Sequence, residues 1–272
     1  MKTIIRSILV VSLSAYSAIA ISQENNKSTG FVPEVGQEGK DVVWVPTPQA
    51  LVDKMLNLAK ITPDDYLIDL GSGDGRTVIT AAKMGIKALG IEYNPDMVAL
   101  SRKNAEAEGV DKLAQFMEAD IFEYDFSGAT VLTMFLLPDI NLRLRPKILD
   151  MKPGTRIISN TFTMQTWQYD AKDSIPGETW RKCLMWIVPA KVEGRWNIAG
   201  GGEIIFLQEF QMVSGEITVN NKREIITNGR LRGNAIKFFA GGMVYEGTVD
   251  GNSMTGTASS ADKSFKWTAN KF

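Results

Sequence analysis

Tyr66-Leu67-Ile68-Asp69-Leu70-Gly71-Ser72-Gly73-Asp74-Gly75-Arg76 is the stretch of sequence that decides the fold. Its first five residues are mostly apolar and predict a buried strand, and its glycines predict a tight turn. The residues that follow, 77–83, are compatible with a helix. A strand, a glycine turn and a helix in this order are typical of the nucleotide-binding crossover of a parallel sheet. The start of such a helix offers unpaired N–H groups to a ligand.

The spacing of the glycines distinguishes a dinucleotide site from a site for a cationic ligand. A dinucleotide fingerprint reads Gly-x-Gly-x-x-Gly, and its last glycine is replaced here by Arg76. The chain instead reads Asp-x-Gly-x-Gly-x-Gly from Asp69 to Gly75. A carboxylate at the end of the strand suits a cationic ligand better than a pyrophosphate, so a NAD-type oxidoreductase is the weaker prediction.

This pattern resembles motif I of the class I S-adenosylmethionine (SAM)-dependent methyltransferases. The resemblance covers residues 46–188 and implies SAM as the cofactor, with the glycine loop around its methionine end. More narrowly, the Val45-Pro46-Thr47-Pro48 entry and the glycine loop resemble the protein lysine methyltransferases of the ATP synthase c-subunit type and their exported bacterial relatives. That likeness implies an acceptor that is a protein lysine or a small molecule, and the sequence does not identify it.

Acidic residues after the later strands fit the same cofactor. Glu92 closes a predicted strand over 87–91, about twenty residues beyond the glycine loop, where this fold class places a carboxylate against ribose hydroxyls. By the resemblance, Asp120 faces the adenine amino group, and Ile121 or Phe122 contacts the ring. Thr47, just before a helix predicted to extend to Lys60, either lines the site or only caps that helix. The predicted cofactor-binding residues are Thr47, Asp69, Gly71, Ser72, Gly73, Gly75, Glu92, Asp120, Ile121 and Phe135.

The methyl acceptor is expected beyond the predicted strand 129–135. In class I methyltransferases the end of this strand faces the methyl group. The chain lacks the Asn/Asp-Pro-Pro-aromatic tetrad of the nucleic-acid amine methyltransferases, and Leu136, Leu137 and Pro138 can instead form an apolar channel. Asp139 is the predicted catalytic residue, which would orient an amine acceptor. Without histidine, deprotonation of the amine falls to a carboxylate such as Asp139, to a tyrosine or to water. The alternative is that Asp139 is the N-cap of a helix over 140–149.

Composition excludes several kinds of chemistry. The chain of 272 residues has no histidine, which removes Ser-His-Asp and Cys-His catalysis. Its single cysteine, Cys183, cannot form an internal disulfide or a multi-cysteine metal site, and no metal site is predicted. With 30 basic and 31 acidic residues the chain has no broad basic field, so a nucleic-acid partner is not expected.

The first twenty residues predict a secretory signal peptide. Lys2 and Arg6 precede a short, mostly apolar stretch, and Ala18-Ile19-Ala20 matches a small-x-small cleavage site. The stretch is too short for a typical transmembrane helix, so no stable membrane insertion is expected after cleavage. We therefore predict an exported protein, periplasmic or secreted, with a polar, flexible leader over residues 21–45.

Two folded parts are predicted after the leader. Residues 46–188 alternate strands and helices, which predicts a doubly wound, mainly parallel α/β sheet of the class I methyltransferase type. Residues 189–272 are rich in turn signals and β-branched residues, which predicts a small antiparallel β-barrel or sandwich. This second part is either a binding module or a stabilising appendage. Because SAM is a cytosolic cofactor, the alternative to an enzyme is an exported, non-catalytic binding protein with a retained SAM-type pocket.

Overall fold

The computed structural model describes residues 31–177, 179 and 181–272, so the predicted signal peptide lies outside the described residues. The helices and strands, in chain order, are α1 Gln49–Ala59, β1 Tyr66–Leu70, α2 Arg76–Lys83, β2 Lys87–Glu92, α3 Pro95–Ala107, β3 Ala114–Glu118, β4 Val131–Met134, α4 Pro138–Leu149, β5 Arg156–Asn160, β6 Ala171–Ser174, β7 Lys182–Ile187, β8 Gly194–Ile198, β9 Glu203–Glu209, β10 Met212–Val219, β11 Lys222–Arg232, β12 Ala235–Ala240, β13 Met243–Asp250, β14 Ser253–Ser259 and β15 Ser264–Lys271.

The first seven strands form one sheet in the order β3-β2-β1-β4-β5-β7-β6. Strands β1 to β5 pair in parallel, and β7 pairs antiparallel with both β5 and β6. The predicted doubly wound, mainly parallel sheet is therefore confirmed. Its strand order reverses between β1 and β4, and open α/β sheets bind their ligands at such a switch point, beyond the carboxyl ends of the strands.

Apolar side chains cover both faces of this sheet, which explains why its central strands are mostly apolar. Leu67 of β1 belongs to a cluster that includes residues of α1, α2 and α3. Ile68 and Leu70 belong to a second cluster, which includes residues of α4. Because alternate residues of a strand point to opposite faces, the two clusters lie on the two sides of the sheet.

The edge of the sheet differs from the prediction. The apolar run 180–188 predicts a strand that closes the edge, whereas β7 lies inside the sheet and β6 forms the edge. Strand β6 has the sequence Ala-Lys-Asp-Ser, which is too short and too polar to give a periodic apolar signal.

Strands β8 to β15 form a closed antiparallel barrel, so the predicted β-rich part is a barrel and not a sandwich. Aromatic residues fill much of its interior, among them Trp196, Phe206, Phe238, Tyr245 and Trp267. Strand β8 was not predicted, although it closes the barrel by pairing with β9 and β15. One of its partners, β15, is the last strand of the chain. Strand β8 therefore forms because the barrel closes around it, and its own sequence has little strand pattern.

The barrel packs against the sheet beside the loop that follows β5. The rings of Trp167 and Phe210 stack with their centroids 5.7 Å apart. Gln211 donates a hydrogen bond of 2.8 Å to the carbonyl of Gln168, and Arg230 forms an ion pair of 2.6 Å with Asp170. The β9–β10 turn of the barrel therefore supports the loop on the carboxyl side of the sheet.

Candidate active site

A cavity lies at the carboxyl ends of β1, β2 and β4, at the switch point of the sheet. The structure places nine of the ten predicted cofactor-binding residues on its lining: Thr47, Asp69, Gly71, Ser72, Gly73, Glu92, Asp120, Ile121 and Phe135. The tenth, Gly75, lies behind the loop and has a conformational role. A Cβ atom at Gly75 would lie 2.7 Å from the ring of Phe116, and its φ of 83° also favours glycine.

The glycine loop is held to the neighbouring strand by its own backbone. The N–H groups of Gly71 and Ser72 donate hydrogen bonds of 2.9 and 3.1 Å to the carbonyl of Ile91 in β2. Gly73 has a φ of 55°, which an L side chain rarely adopts. The loop therefore turns tightly at the mouth of the cavity and brings its backbone against the space where a ligand would lie.

Asp69, the last but one residue of the central strand β1, is a buried carboxyl group, with 6% of the residue exposed. The hydroxyl of Thr133 in β4 donates a hydrogen bond of 2.6 Å to its Oδ1 atom. Burial, together with the nearby carboxylates of Glu92 and Asp74, raises the pKa of Asp69 to about 7, although the Thr133 hydroxyl acts in the opposite direction. A cation placed in this cavity would favour the ionised form of Asp69.

Glu92 holds the glycine loop from the end of β2. Its Oε2 atom accepts a hydrogen bond of 2.9 Å from the N–H of Gly73. Its Oε1 atom accepts bonds of 3.0 Å from the N–H groups of Tyr93 and Asn94. The ribose contact predicted for Glu92 stays a prediction, and the structure adds that this carboxylate orients the loop.

Asp120 forms an ion pair with Lys40, a residue for which the sequence predicts no role. The ammonium group of Lys40 also lies 4.6 Å from the centre of the Tyr93 ring. The hydrogen bond from Lys40, followed by one from the N–H of Phe122, holds the pKa of Asp120 below its usual range. The carboxylate predicted to bind adenine is thus ionised and already has a cationic partner.

Residues 37–47, which we call the strap, contribute a continuous part of the cavity lining. Composition predicts a flexible leader up to residue 45, but the described part of this leader is a hydrogen-bonded turn. The N–H of Gly36 donates to the carbonyl of Trp44 and the N–H of Trp44 to the carbonyl of Gln37, both at 2.9 Å. The indole of Trp44 approaches Gly73 so closely that a Cβ atom there would lie 2.6 Å from Nε1.

Thr47 anchors the carboxyl end of the strap. Its hydroxyl accepts a hydrogen bond of 3.1 Å from the amide of Asn160 at the end of β5. Its carbonyl accepts one of 2.8 Å from Arg76, whose guanidinium also pairs with Asp74 at 2.5 Å. The N-cap position of α1 is Pro48, so the alternative reading of Thr47 as the helix cap is wrong.

Aromatic and apolar residues surround the carboxyl end of β4. Phe135 lines the cavity, and its ring stacks on that of Phe162, which follows β5, with the centroids 6.0 Å apart. Asp139 lies exposed in the first turn of α4 and is not on the cavity lining. The N-cap position of α4 is Leu137, so the alternative reading of Asp139 as the N-cap is wrong. Its catalytic role stays a prediction.

The cavity is acidic. Its charged lining residues are six carboxylates and two cations, namely Glu38, Asp41, Asp69, Asp74, Glu92 and Asp120 with Lys40 and Arg76. Both cations are paired with carboxylates of the same lining. The buried hydroxyl of Ser72 has no hydrogen-bond partner in the described part of the chain. Excess negative charge and an unpaired hydroxyl beside a glycine loop fit a cationic ligand with polar groups, such as SAM.

The described residues contain neither a metal centre nor a helical membrane span. Across residues 31–177, 179 and 181–272, no group of three acidic, cysteine or histidine side chains could hold a metal ion. Over the same residues, no helix has both the length and the apolar composition needed to span a membrane.

Comparison with known proteins points to one group of enzymes. The family described as the ANTKMT methyltransferase domain matches residues 69–171. A protein-lysine N-methyltransferase of Saccharolobus islandicus (strain REY15A) is 45% identical over 129 residues, which cover 46% of this chain and 80% of that protein. The human (Homo sapiens) lysine N-methyltransferase of the ATP synthase c-subunit is 38% identical over 113 residues. The match spans 41% of this chain and 47% of the human protein, about half its length.

A solved structure supports the same assignment of the fold and the cofactor. It is the crystal structure of an RNA methyltransferase from Salinibacter ruber in complex with S-adenosyl-L-homocysteine. It is 43% identical in sequence, with a TM-score of 0.52, and the match covers 54% of this chain and 96% of that one.

Proposed function

We propose a protein lysine as the methyl acceptor of this chain, which belongs to the class I SAM-dependent methyltransferases. The chain is a methyltransferase with SAM as its cofactor, and a non-catalytic binding role is not favoured. Bound SAM would supply a methyl group attached to a positively charged sulfur, which is a good leaving group. The protein then has to hold the two reactants in line, exclude water and accept the proton of an amine acceptor.

The negative charge of the cavity is the main reason for proposing a lysine acceptor. Six acidic and two basic side chains line the cavity, and both basic ones are paired, so the cavity attracts an ammonium group. The same charge repels a phosphate backbone, and the chain as a whole has no basic excess. We therefore favour a lysine over RNA, the substrate class for which the Salinibacter ruber enzyme is named.

The end of β4 offers a path for a lysine side chain. Phe135 lies on the cavity lining, and its ring stacks on that of Phe162, a half-buried residue beside the lining. Aromatic faces can contact the methylene groups of a lysine and attract its ammonium group. Asp139, next to the lining residue Ile140, is our candidate to accept the proton of the amine.

Transfer of a labelled methyl group tests the acceptor. Protein extract of the source organism, treated with ribonuclease, is incubated with methyl-labelled SAM and the purified chain, and the labelled protein is hydrolysed to amino acids. We expect the label in methyl-lysine, and we expect its loss when the lysines of the extract are acetylated beforehand. Label in the nucleic-acid fraction of an untreated extract, or in protein after acetylation, would refute a lysine acceptor. A Gly73→Asp variant is the control for background activity.

We also propose that the enzyme is exported. The support is in the sequence, where Lys2, Arg6 and Ala18-Ile19-Ala20 have the layout of a cleavable signal peptide. Amino-terminal sequencing of the protein recovered from the periplasm or medium should begin at residue 21. A cytosolic protein that begins at Met1 would refute this proposal.

A further inference from the structure

The strap contacts both ends of the cofactor cavity. At one end, Lys40 pairs with Asp120 and lies over the ring of Tyr93. At the other end, the indole of Trp44 lies against Gly73 in the glycine loop. The strap therefore covers the cavity from the carboxylate predicted to bind adenine to the loop predicted to surround the methionine end.

The cavity under the strap is small for such a cofactor. Its volume is about 120 Å³, whereas sites for small molecules and cofactors measure about 300–1,000 Å³. The glycine loop is fixed to β2, and Asp69 is buried in the central strand. The strap can make room, because it belongs to no strand of the sheet, whereas the sheet cannot separate without loss of its strand pairing.

The hydrogen bonds and the ion pair of the strap are arranged so that the segment can move as one unit. The backbone-to-backbone hydrogen bonds of residues 37–44 join them to one another and to the adjoining residues 34–36. The carboxyl end of the strap is fixed at Thr47 by Asn160 and Arg76. The contact from Lys40 to Asp120 joins residues 80 positions apart in sequence, and the Lys40 side chain is 36% exposed. A partly exposed ion pair is weak enough to open and re-form readily.

We propose that the strap is a gate over the SAM site, hinged at Thr47 and latched by the ion pair between Lys40 and Asp120. The latch opens to admit SAM and closes again over it, because the Asp120 carboxylate has lone pairs for both Lys40 and a donor on the ligand. The closed strap then excludes water from the site. The inference rests on SAM as the cofactor and is independent of the identity of the acceptor.

Binding kinetics test this gate without an acceptor. SAM association and dissociation rates are measured by surface plasmon resonance on the full chain, its Lys40→Met variant and a Lys191→Met control. Lys191 forms an exposed ion pair with Asp150, and neither residue lines the cavity. A gate latched by Lys40 predicts that both rates rise about two- to fivefold in Lys40→Met, the range for a partly exposed ion pair. The equilibrium constant should then change by less than about twofold, and the control should match the original chain.

Other results would overturn the proposal. A rise in the dissociation rate alone would mean that Lys40 is an ordinary contact residue and not a latch. Unchanged rates, or an equal effect in the Lys191→Met control, would mean that the ion pair does not limit access to the site. A failure of the lysine-acceptor proposal would leave all of these binding rates unaffected, so the two failures are distinguishable.

Discussion

The affinity for SAM should depend on pH through Asp69. Burial raises the pKa of this carboxyl group to about 7 in the unliganded protein, so about half of the molecules carry a protonated Asp69 at neutral pH. A cationic cofactor favours the ionised form, because opposite charges at short range lower the pKa of a carboxyl group. SAM binding is therefore coupled to the release of a proton from Asp69.

The size of the effect follows from that pKa. The ionised fraction is about one half at pH 7, about one eleventh at pH 6 and about one hundredth at pH 5. The dissociation constant for SAM should therefore rise about fivefold from pH 7 to pH 6 and about tenfold more at pH 5. The Asp69→Asn variant should bind SAM weakly at every pH and lack this dependence.

Isothermal titration calorimetry between pH 5 and pH 7 measures the effect directly. The cofactor's own α-amino group stays protonated below about pH 7, so its titration does not contribute. Titrations in buffers of different ionisation enthalpy should show release of about half a proton at pH 7 and nearly one at pH 6. A dissociation constant that is flat from pH 5 to pH 7, or the same slope in Asp69→Asn, would refute this account of Asp69.

The same pKa determines the effect of Asp69 on stability. A carboxyl group whose pKa is raised from 3.8 to about 7 by folding contributes stability below pH 3.8, which is lost as the pH rises through about 7. Asp69→Asn should therefore raise the free energy of unfolding at pH 8 by up to about 4 kcal/mol, measured by urea denaturation. Gly75→Ala should lower it by about 1–3 kcal/mol, because its positive φ and the neighbouring aromatic ring both oppose a side chain; an unchanged transition midpoint would contradict this. Glu92→Gln should weaken SAM binding about 10–100-fold, because one amide oxygen cannot accept from Gly73 and also from Tyr93 and Asn94; Glu118→Gln on the neighbouring strand should have no such effect, and equal affinities in calorimetry would contradict this. Asp139→Asn should slow single-turnover methyl transfer at unchanged SAM affinity, and full turnover would rule out its role as the base.

Local chemistry explains why the centre of the fold could be predicted. The run from Tyr66 to Arg76 contains a buried strand, a turn that requires glycine and the start of a helix within a single stretch. The carboxyl ends of adjacent parallel strands must meet, so acidic residues at the ends of β1 and β2 were expected in one site. The structure places Asp69 and Glu92 on the lining of one cavity.

Long-range contacts explain what the sequence did not predict. Lys40 meets Asp120 across 80 residues, from a segment whose polar composition indicates only flexibility. Trp44 and Phe162 likewise reach the site from connecting segments with no periodic pattern. Strand β8 exists because it closes the barrel between β9 and β15. Such contacts depend on the assembled fold, and a single sequence has no local signal for them.

The central claim is that the cavity at the carboxyl ends of β1, β2 and β4 binds SAM. Calorimetric titration of the purified protein with SAM, beside a Gly73→Asp variant with an unchanged circular dichroism spectrum, tests it most directly. We expect saturable binding at one site per chain and its loss in the variant, because the new carboxylate would enter the turn between Trp44 and the ligand. No binding by the original protein, or equal binding by the variant, would contradict the claim.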